Sequence, residues 1–559
     1  MVFLRGLRGL CVPRWRQFVG RAPRAVLRGV SVAIVWTTLL TPPGHAASLF
    51  DPALRFRTIP TEHFVIYFHQ GAEPLARRLA ALAEETWMAL RRPLGVQPPP
   101  RTHVVLVDQS ELADGSATPV PYNTVIVTTA WPAGYEFIGE IDDWLRLVFT
   151  HEFTHIVHLD RSEGWARAIR RLFGRMPIGF PNLYLPIWQI EGLATYEESA
   201  LTGQGRLHAG DFGAVLREAA REHVLEPIDR INGGLTDWPA GQASYAYGLG
   251  FHQYLADRFG AGTLTALADA TARRVPFTAS RVFKRVYGES LGTLWREYER
   301  SLLDNAPAAV PNTGIVRLTH HGFAVSGPRF DRFASDTFGA EIVYSVRTPH
   351  GFPALQRLAI DVTAPAMTVR AHPKELTRRY LGSTTAIGRD ELYFDQQELH
   401  RNVALYSDLY ALSRATGRVR RLTSGARLLD PDLSPDGRTL VAVQDRAGQR
   451  NLVLVRLKAD TSEAEATGHY RNTRHRRSDR PAIPGRVRLQ PDPPHRNSDR
   501  RIRDPVQHAA LVARWQINRC RAASAWRALG NRDCRRRHKG SSHGHTVPQR
   551  PRRDSRLAP

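Results

Sequence analysis

The pentapeptide His151-Glu152-Phe153-Thr154-His155 sets two imidazoles at i and i+4, one turn apart on a single helix face. Both can reach one divalent cation such as Zn²⁺, and Glu152 beside them is placed to take a proton from a water molecule. Catalytic zinc ordinarily takes three protein ligands and keeps one position open, so a third ligand must come from elsewhere in the chain. His158 shares the face at i+7 from His151 but reads better as a packing residue; Asp160 either orients a histidine or ends the helix. The stronger candidate is Glu191, in the stretch Trp188-Gln189-Ile190-Glu191-Gly192-Leu193-Ala194. Gly192 and Ala194 are small and let two helices approach closely. Glu197 and Glu198 compete with Glu191, and Glu198 shares its face two turns on.

These motifs resemble the gluzincin metallopeptidases, whose third ligand lies in a helix reading W-x-x-E-G-x-A. The resemblance covers residues 47–305. It implies an α+β zincin-like fold, Zn²⁺ on His151, His155 and Glu191, and Glu152 as general base. The metzincin pattern asks instead for Gly at 158 and His at 161, where this chain has His158 and Arg161. The spacing from His155 to Glu191 is longer than in the aminopeptidase branch. The extra residues carry Gly164, Gly174, Pro177, Gly179, Pro181 and Pro186, a loop-rich excursion. Gluzincins often add a Tyr or His that hydrogen-bonds the developing oxyanion. The stretch Ser244–Leu255 resembles the helix that follows their zinc ligands, so Tyr245 and Tyr247 are both candidates. A packed core tyrosine is as good a reading of either, and His252 reads as structural. The resemblance also makes Thr124–Thr128 the edge strand above the metal, able to pair with an extended peptide.

The elements that must position these residues follow from periodicity. Within residues 55–130, His63–Phe68, His103–Val107 and Thr124–Thr128 read as strands, and Glu73–Arg92 has the apolar spacing of a helix. Residues 140–305 are mainly helical, with Asp142–Leu159, Pro186–Ser199, Phe212–His223, Ser244–Phe259 and Leu291–Leu303. Residues 306–314 read as a linker. Over 315–468, Gly339–Arg347, Gly388–Asp395 and Asp436–Asp445 each put a charged turn before an apolar strand. A second strand follows each: Ala354–Ile360, Asp408–Leu412 and Asn451–Leu457. Val343, Leu392 and Leu440 recur at 49 and 48 residues, the period of propeller blades. Ser434-Pro435-Asp436-Gly437 resembles the turn of TolB-like blades. A propeller closes with about four to eight blades, and about three are visible, so this one reads as incomplete. Its open strand edges favour aggregation, and residues 47–305 are expected to behave better alone.

The chain has 559 residues and a formal charge of +24. Residues 469–559 hold 24 Lys+Arg against 6 Asp+Glu, net +18, which leaves +6 for the rest. The charge therefore belongs to a tail without helical or strand period, read as disordered and compatible with out-of-frame translation. Nucleic acid is not an expected partner. Residues 1–46 read as an export signal, with Arg5, Arg8 and Arg14 in a positive region, an apolar run Val30–Leu40, and small residues Gly44 and Ala46 before cleavage. That run is short for a membrane span. Cysteine is confined to Cys11, Cys520 and Cys534, so residues 47–468 offer neither a disulfide nor a thiolate metal site.

The expected function is zinc-dependent peptide-bond hydrolysis outside the cytoplasm, in the periplasm or elsewhere in a bacterial envelope. Its substrate would be a peptide or protein, and the repeats could hold a protein partner. The alternative is a catalytically inert scaffold that binds through its propeller. The intact Glu152 between two histidines speaks against it.

Overall fold

A computed structural model describes residues 50–95, 101–132, 138–139, 141–233, 238–239, 241–306, 319, 324–334, 340–361, 368–369, 372–382 and 384–457. Every described residue belongs to one compact unit. The expected export signal, most of the linker and the basic tail lie outside the described residues. Among the described residues no helix is long and apolar enough to cross a membrane.

The described residues begin with β1 (Phe56–Pro60), β2 (Phe64–His69), helix α1 (Glu73–Leu94), β3 (Thr102–Val107), β4 (Gly115–Thr118) and β5 (Thr124–Thr128). The strands form one sheet in the order β1-β2-β3-β5-β4. β2, β3 and β5 run parallel, while β1 and β4 pair antiparallel at the two margins. Alternation places Phe64, Ile66, Val104, Leu106, Val125 and Val127 in the core. The expectation that Thr124–Thr128 is the edge strand is corrected here. The residues after β3 turn back as β4 and cover β5, so the edge is Gly115–Thr118. Its short, polar sequence (Gly-Ser-Ala-Thr) gives no hydrophobic alternation to read.

Eight helices follow in the described residues: α2 (Trp144–Leu159), α3 (Trp165–Phe173), α4 (Ile187–Thr202), α5 (Gly210–Arg221), α6 (Ala243–Phe259), α7 (Gly262–Thr271), α8 (Phe283–Tyr287) and α9 (Leu291–Asp304). The α2 helix starts at Asp143, whose carboxylate accepts from Arg146 N at 3.2 Å and caps an otherwise unpaired amide. It is buried almost all round. Phe149 and Phe153 stack at 5.7 Å and meet Phe64 of β2 at 5.5 and 5.0 Å, fixing the helix on the sheet. On the far side Trp188 of α4, Phe251 of α6 and Trp295 of α9 form a second aromatic cluster, with ring centroids 5.0–6.2 Å apart.

Residues 324–456 build three separate antiparallel sheets. The first holds β6 (Ala324–Asp331), β7 (Ala340–Arg347), β8 (Ala354–Asp361) and β10 (Lys374–Arg378), with β9 (Thr368–Val369) also on β8. The second holds β11 (Thr385–Ile387), β12 (Glu391–His400), β13 (Ala404–Ser413) and β14 (Val419–Arg421). The third holds β15 (Leu428–Leu433), β16 (Thr439–Arg446) and β17 (Gln449–Arg456). The three recurring positions Val343, Leu392 and Leu440 are all buried, each on an inner strand of its sheet. Gly437 makes the Ser434–Gly437 turn in the left-handed region, φ 72°, and its N–H donates to Ser434 O. Closure into a propeller is not seen among the described residues.

The repeats are bonded to the first sheet. Arg427 donates to Glu111 Oε1 at 2.5 Å and to Asp108 Oδ1 at 2.7 Å, and all three residues are buried or nearly so. Ala447 N donates to Asp108 Oδ2 (2.8 Å), Trp131 Nε1 to Gly448 O (3.2 Å) and Arg450 to Trp131 O (3.0 Å). Leu405 exchanges main-chain hydrogen bonds with Gln109 and Glu111. These bonds weigh against the expectation that residues 47–305 behave better alone, because a cut there removes the groups that cover Asp108 and Glu111.

Candidate metal centre

His151 and His155 point from one face of α2 toward Glu191 on α4. His155 Nε2 lies 3.1 Å from His151 Nε2, and Glu191 Oε2 lies 3.2 Å from His151 Nε2 and 3.4 Å from His155 Nε2. Among the described residues this is the cluster whose ligand atoms could hold a metal ion. A tetrahedral ion with bonds of about 2.0–2.1 Å separates its ligand atoms by about 3.3–3.4 Å, so the three atoms already stand at the spacing zinc asks for. The donor set, two imidazoles and a carboxylate, is that of a catalytic rather than a closed structural site.

Glu198 adds what the sequence reading left as a competitor. It is 1% exposed. It accepts from His151 Nδ1 at 2.7 Å and from Arg206 at 2.9 and 3.0 Å. Seven residues beyond Glu191, it reaches the back of the ring whose front faces Glu191. That bond fixes which nitrogen of His151 is turned to the metal position. The i+7 spacing was the available signal. Burial pulls the His151 imidazolium down, but Glu198 and Glu191 outweigh it and raise it to about 10. Glu191 itself is disfavoured by burial, yet the two histidines hold it well below the usual carboxylate range. His155 Nδ1 has no such support among the described residues.

Glu152 is buried beneath β4. A β-carbon at Gly115 would lie 2.5 Å from Glu152 Oε1, so the edge strand rests directly on the carboxylate. Burial raises the Glu152 pKa, with His151 and His155 opposing.

The two tyrosines part company. Tyr245 lies beside the centre: the Glu191 carboxylate acts on its phenol, and the Arg206 guanidinium sits 5.3 Å over its ring. Burial and the neighbouring Glu191 carboxylate push its phenol above the ordinary range. Tyr247 faces the core. Its hydroxyl accepts from Glu226 N at 3.0 Å and its ring stacks on Trp295 at 6.2 Å. As an oxyanion donor Tyr247 is therefore corrected to a packing residue.

The remaining candidates sit outside the cluster. His158 is fully buried and burial lowers its pKa well below the ordinary value. Burial likewise brings His252 to about 4, and its Nδ1 bonds Gly248 O at 2.7 Å. Asp160 ends α2 and binds Asn123 Nδ2 (3.0 Å), Arg170 (2.7 Å) and Arg175 (3.1 Å). Glu197 is buried away from the histidines, and burial pushes it to about 7. Gly192 does admit a close helix, but the partner is α6. A β-carbon on Gly192 would come within 2.5 Å of the Gly248 carbonyl carbon.

No family model matches the chain, and no curated protein matches it. Among solved structures it is similar to the M1 zinc metallopeptidase from Deinococcus radiodurans, at 16% identity and a TM-score of 0.23, over 46% of this chain and 53% of that one. A point mutant of that enzyme gives the same values. A TolB-like protein from Agrobacterium tumefaciens is similar at 18% identity and a TM-score of 0.15, over 24% of this chain and 58% of that one. The chain thus spans little more than half the length of these structures.

Proposed function

We propose that this chain is a zinc-dependent peptide hydrolase acting outside the cytoplasm. One observation carries the reading: two imidazole nitrogens and a carboxylate oxygen converge at 3.1–3.4 Å, with Glu152 adjacent under a sheet edge. His151, His155 and Glu191 would hold the ion. When bound, zinc would supply Lewis-acid polarisation of a scissile carbonyl and acidify water.

The remaining work falls to side chains. Glu152 takes the proton of the attacking water and passes it to the leaving amine. Tyr245 offers a hydroxyl to the developing oxyanion. Glu198 keeps His151 in one tautomer and orientation. The outer edge of β4 supports an extended peptide through main-chain hydrogen bonds. Export rests on the first 46 residues, and the repeats are open to a protein partner.

Glu152→Gln tests the reading. The variant should keep zinc and lose hydrolysis of a broad peptide library. Cleavage at the wild-type rate would sink the mechanism.

A further inference from the structure

The excursion between the two ligand helices turns apolar side chains outward. Leu172 is 74% exposed and Phe173 61% exposed at the end of α3, and Met176 and Ile178 follow them, also exposed. Of α3 itself Ala166 alone is fully buried. A second apolar loop is tied to this one. Trp165 Nε1 donates to Arg273 O (3.1 Å), Glu163 N to Ala272 O (3.1 Å), and the rings of Tyr184 and Phe277 meet at 5.5 Å. At its tip stand exposed Val275 and Phe277, the latter 83% exposed and in the left-handed region, φ 66°.

The charge around these tips is mainly positive, even though Arg161, Arg167, Arg170 and Arg175 pair with Asp269, Glu163 and Asp160. Residues 161–178 carry 5 Arg against 1 Glu, and residues 272–285 carry 5 Arg+Lys with no acid. Arg171, Arg273 and Arg281 are exposed, and with Arg274 they show no ion pair among the described residues. Exposed apolar clusters of this kind mark interaction surfaces. A protein groove would have to match each uncommitted guanidinium with an acid. An anionic bilayer supplies both needs at once, an apolar phase for protruding Leu and Phe and phosphates for Arg.

We propose that the Leu172–Ile178 and Val275–Phe277 protrusions form a docking surface for anionic membranes. The apolar tips enter the acyl boundary while the arginines stay among headgroups. This surface stands apart from the metal-site reading. It adjoins the sheet edge all the same, because Arg175 of the excursion donates to Pro119 O, to Pro121 O (3.0 Å) and to Asn123 Oδ1 (2.5 Å) in the turn after β4.

The test places an environment-sensitive NBD dye at Phe173→Cys in the full chain, with Cys11, Cys520 and Cys534 changed to Ser. Vesicles are phosphatidylglycerol/phosphatidylcholine or phosphatidylcholine alone. The expected result is a several-fold rise and blue shift of emission with the anionic vesicles only, with Arg171→Glu/Arg273→Glu weakening it roughly tenfold or more. A dye at Arg77→Cys, on the exposed face of α1, should not respond. That control separates this surface from the basic tail and the apolar Val30–Leu40 run, which could bring the chain to a vesicle without drying position 173. An unchanged signal at 173, or an equal change at 77, overturns the proposal. So does a concentration-dependent blue shift without lipid, which assigns the face to a second copy of the chain.

Discussion

Gly115 of β4 meets Glu152 of α2 so closely that the strand leaves no room for a β-carbon between them. Gly115→Ala must therefore push the edge strand outward or rotate the carboxylate. A misplacement near 1 Å costs on the order of a hundredfold in rate. The expected outcome is a fall in kcat of that order with zinc content unchanged. Wild-type turnover would mean that β4 yields freely.

Glu198 holds His151 from behind. Losing such a carboxylate typically weakens metal binding by about 10–100-fold. Glu198→Gln keeps the shape but removes the charge that both His151 and Arg206 face. Chelator competition should show zinc affinity reduced within that range. Unchanged affinity would assign Glu198 to packing alone.

The tyrosines should separate by what each variant damages. Tyr245→Phe is expected to lower kcat by about 10²–10³-fold, the usual loss for an oxyanion donor, with stability near wild type. Tyr247→Phe removes the acceptor of Glu226 N and should cost about 1 kcal/mol in urea unfolding while sparing kcat. The reverse pattern would exchange their roles.

Arg427 stands between two buried carboxylates, so Arg427→Met should destabilise the full chain by about 3–5 kcal/mol in urea unfolding. A loss below about 1 kcal/mol would place the junction in high dielectric.

Glu111 gives the same junction a pH signature. Burial raises it from 4.5 to about 7; Arg427 opposes this, and Asp445 and Asp108 add to it. Between pH 4.5 and about 7 the folded chain holds a proton that the unfolded chain has released. The contribution of Glu111 therefore falls as pH rises across that window. Glu111→Gln should flatten the decline, and an unaltered slope would assign the proton elsewhere.

Much of this was legible from residue spacing. The i, i+4 histidines lie on one helix, and Glu191 comes from a second helix that meets the first at hydrogen-bonding distance. Val343, Leu392 and Leu440 were readable because burial on a strand demands an apolar side chain. β4 was not, because a polar four-residue edge shows no period. Tyr245 and Tyr247 could not be told apart, since two residues along a helix turn a side chain to another face and the packing partners come from distant sequence. The Arg427 junction was equally hidden: an arginine in a loop carries no mark of the acids 316 and 319 residues before it.

The contact of Gly192 with Gly248 joins α4 to α6 backbone against backbone. Glu191 and Tyr245 therefore stand on two helices held backbone to backbone, while Glu152 is faced by β4 from the sheet. The loop leading into β4 is pinned by Arg427, contributed from more than 300 residues away. The second half of the chain is thus a brace behind the strand that faces Glu152.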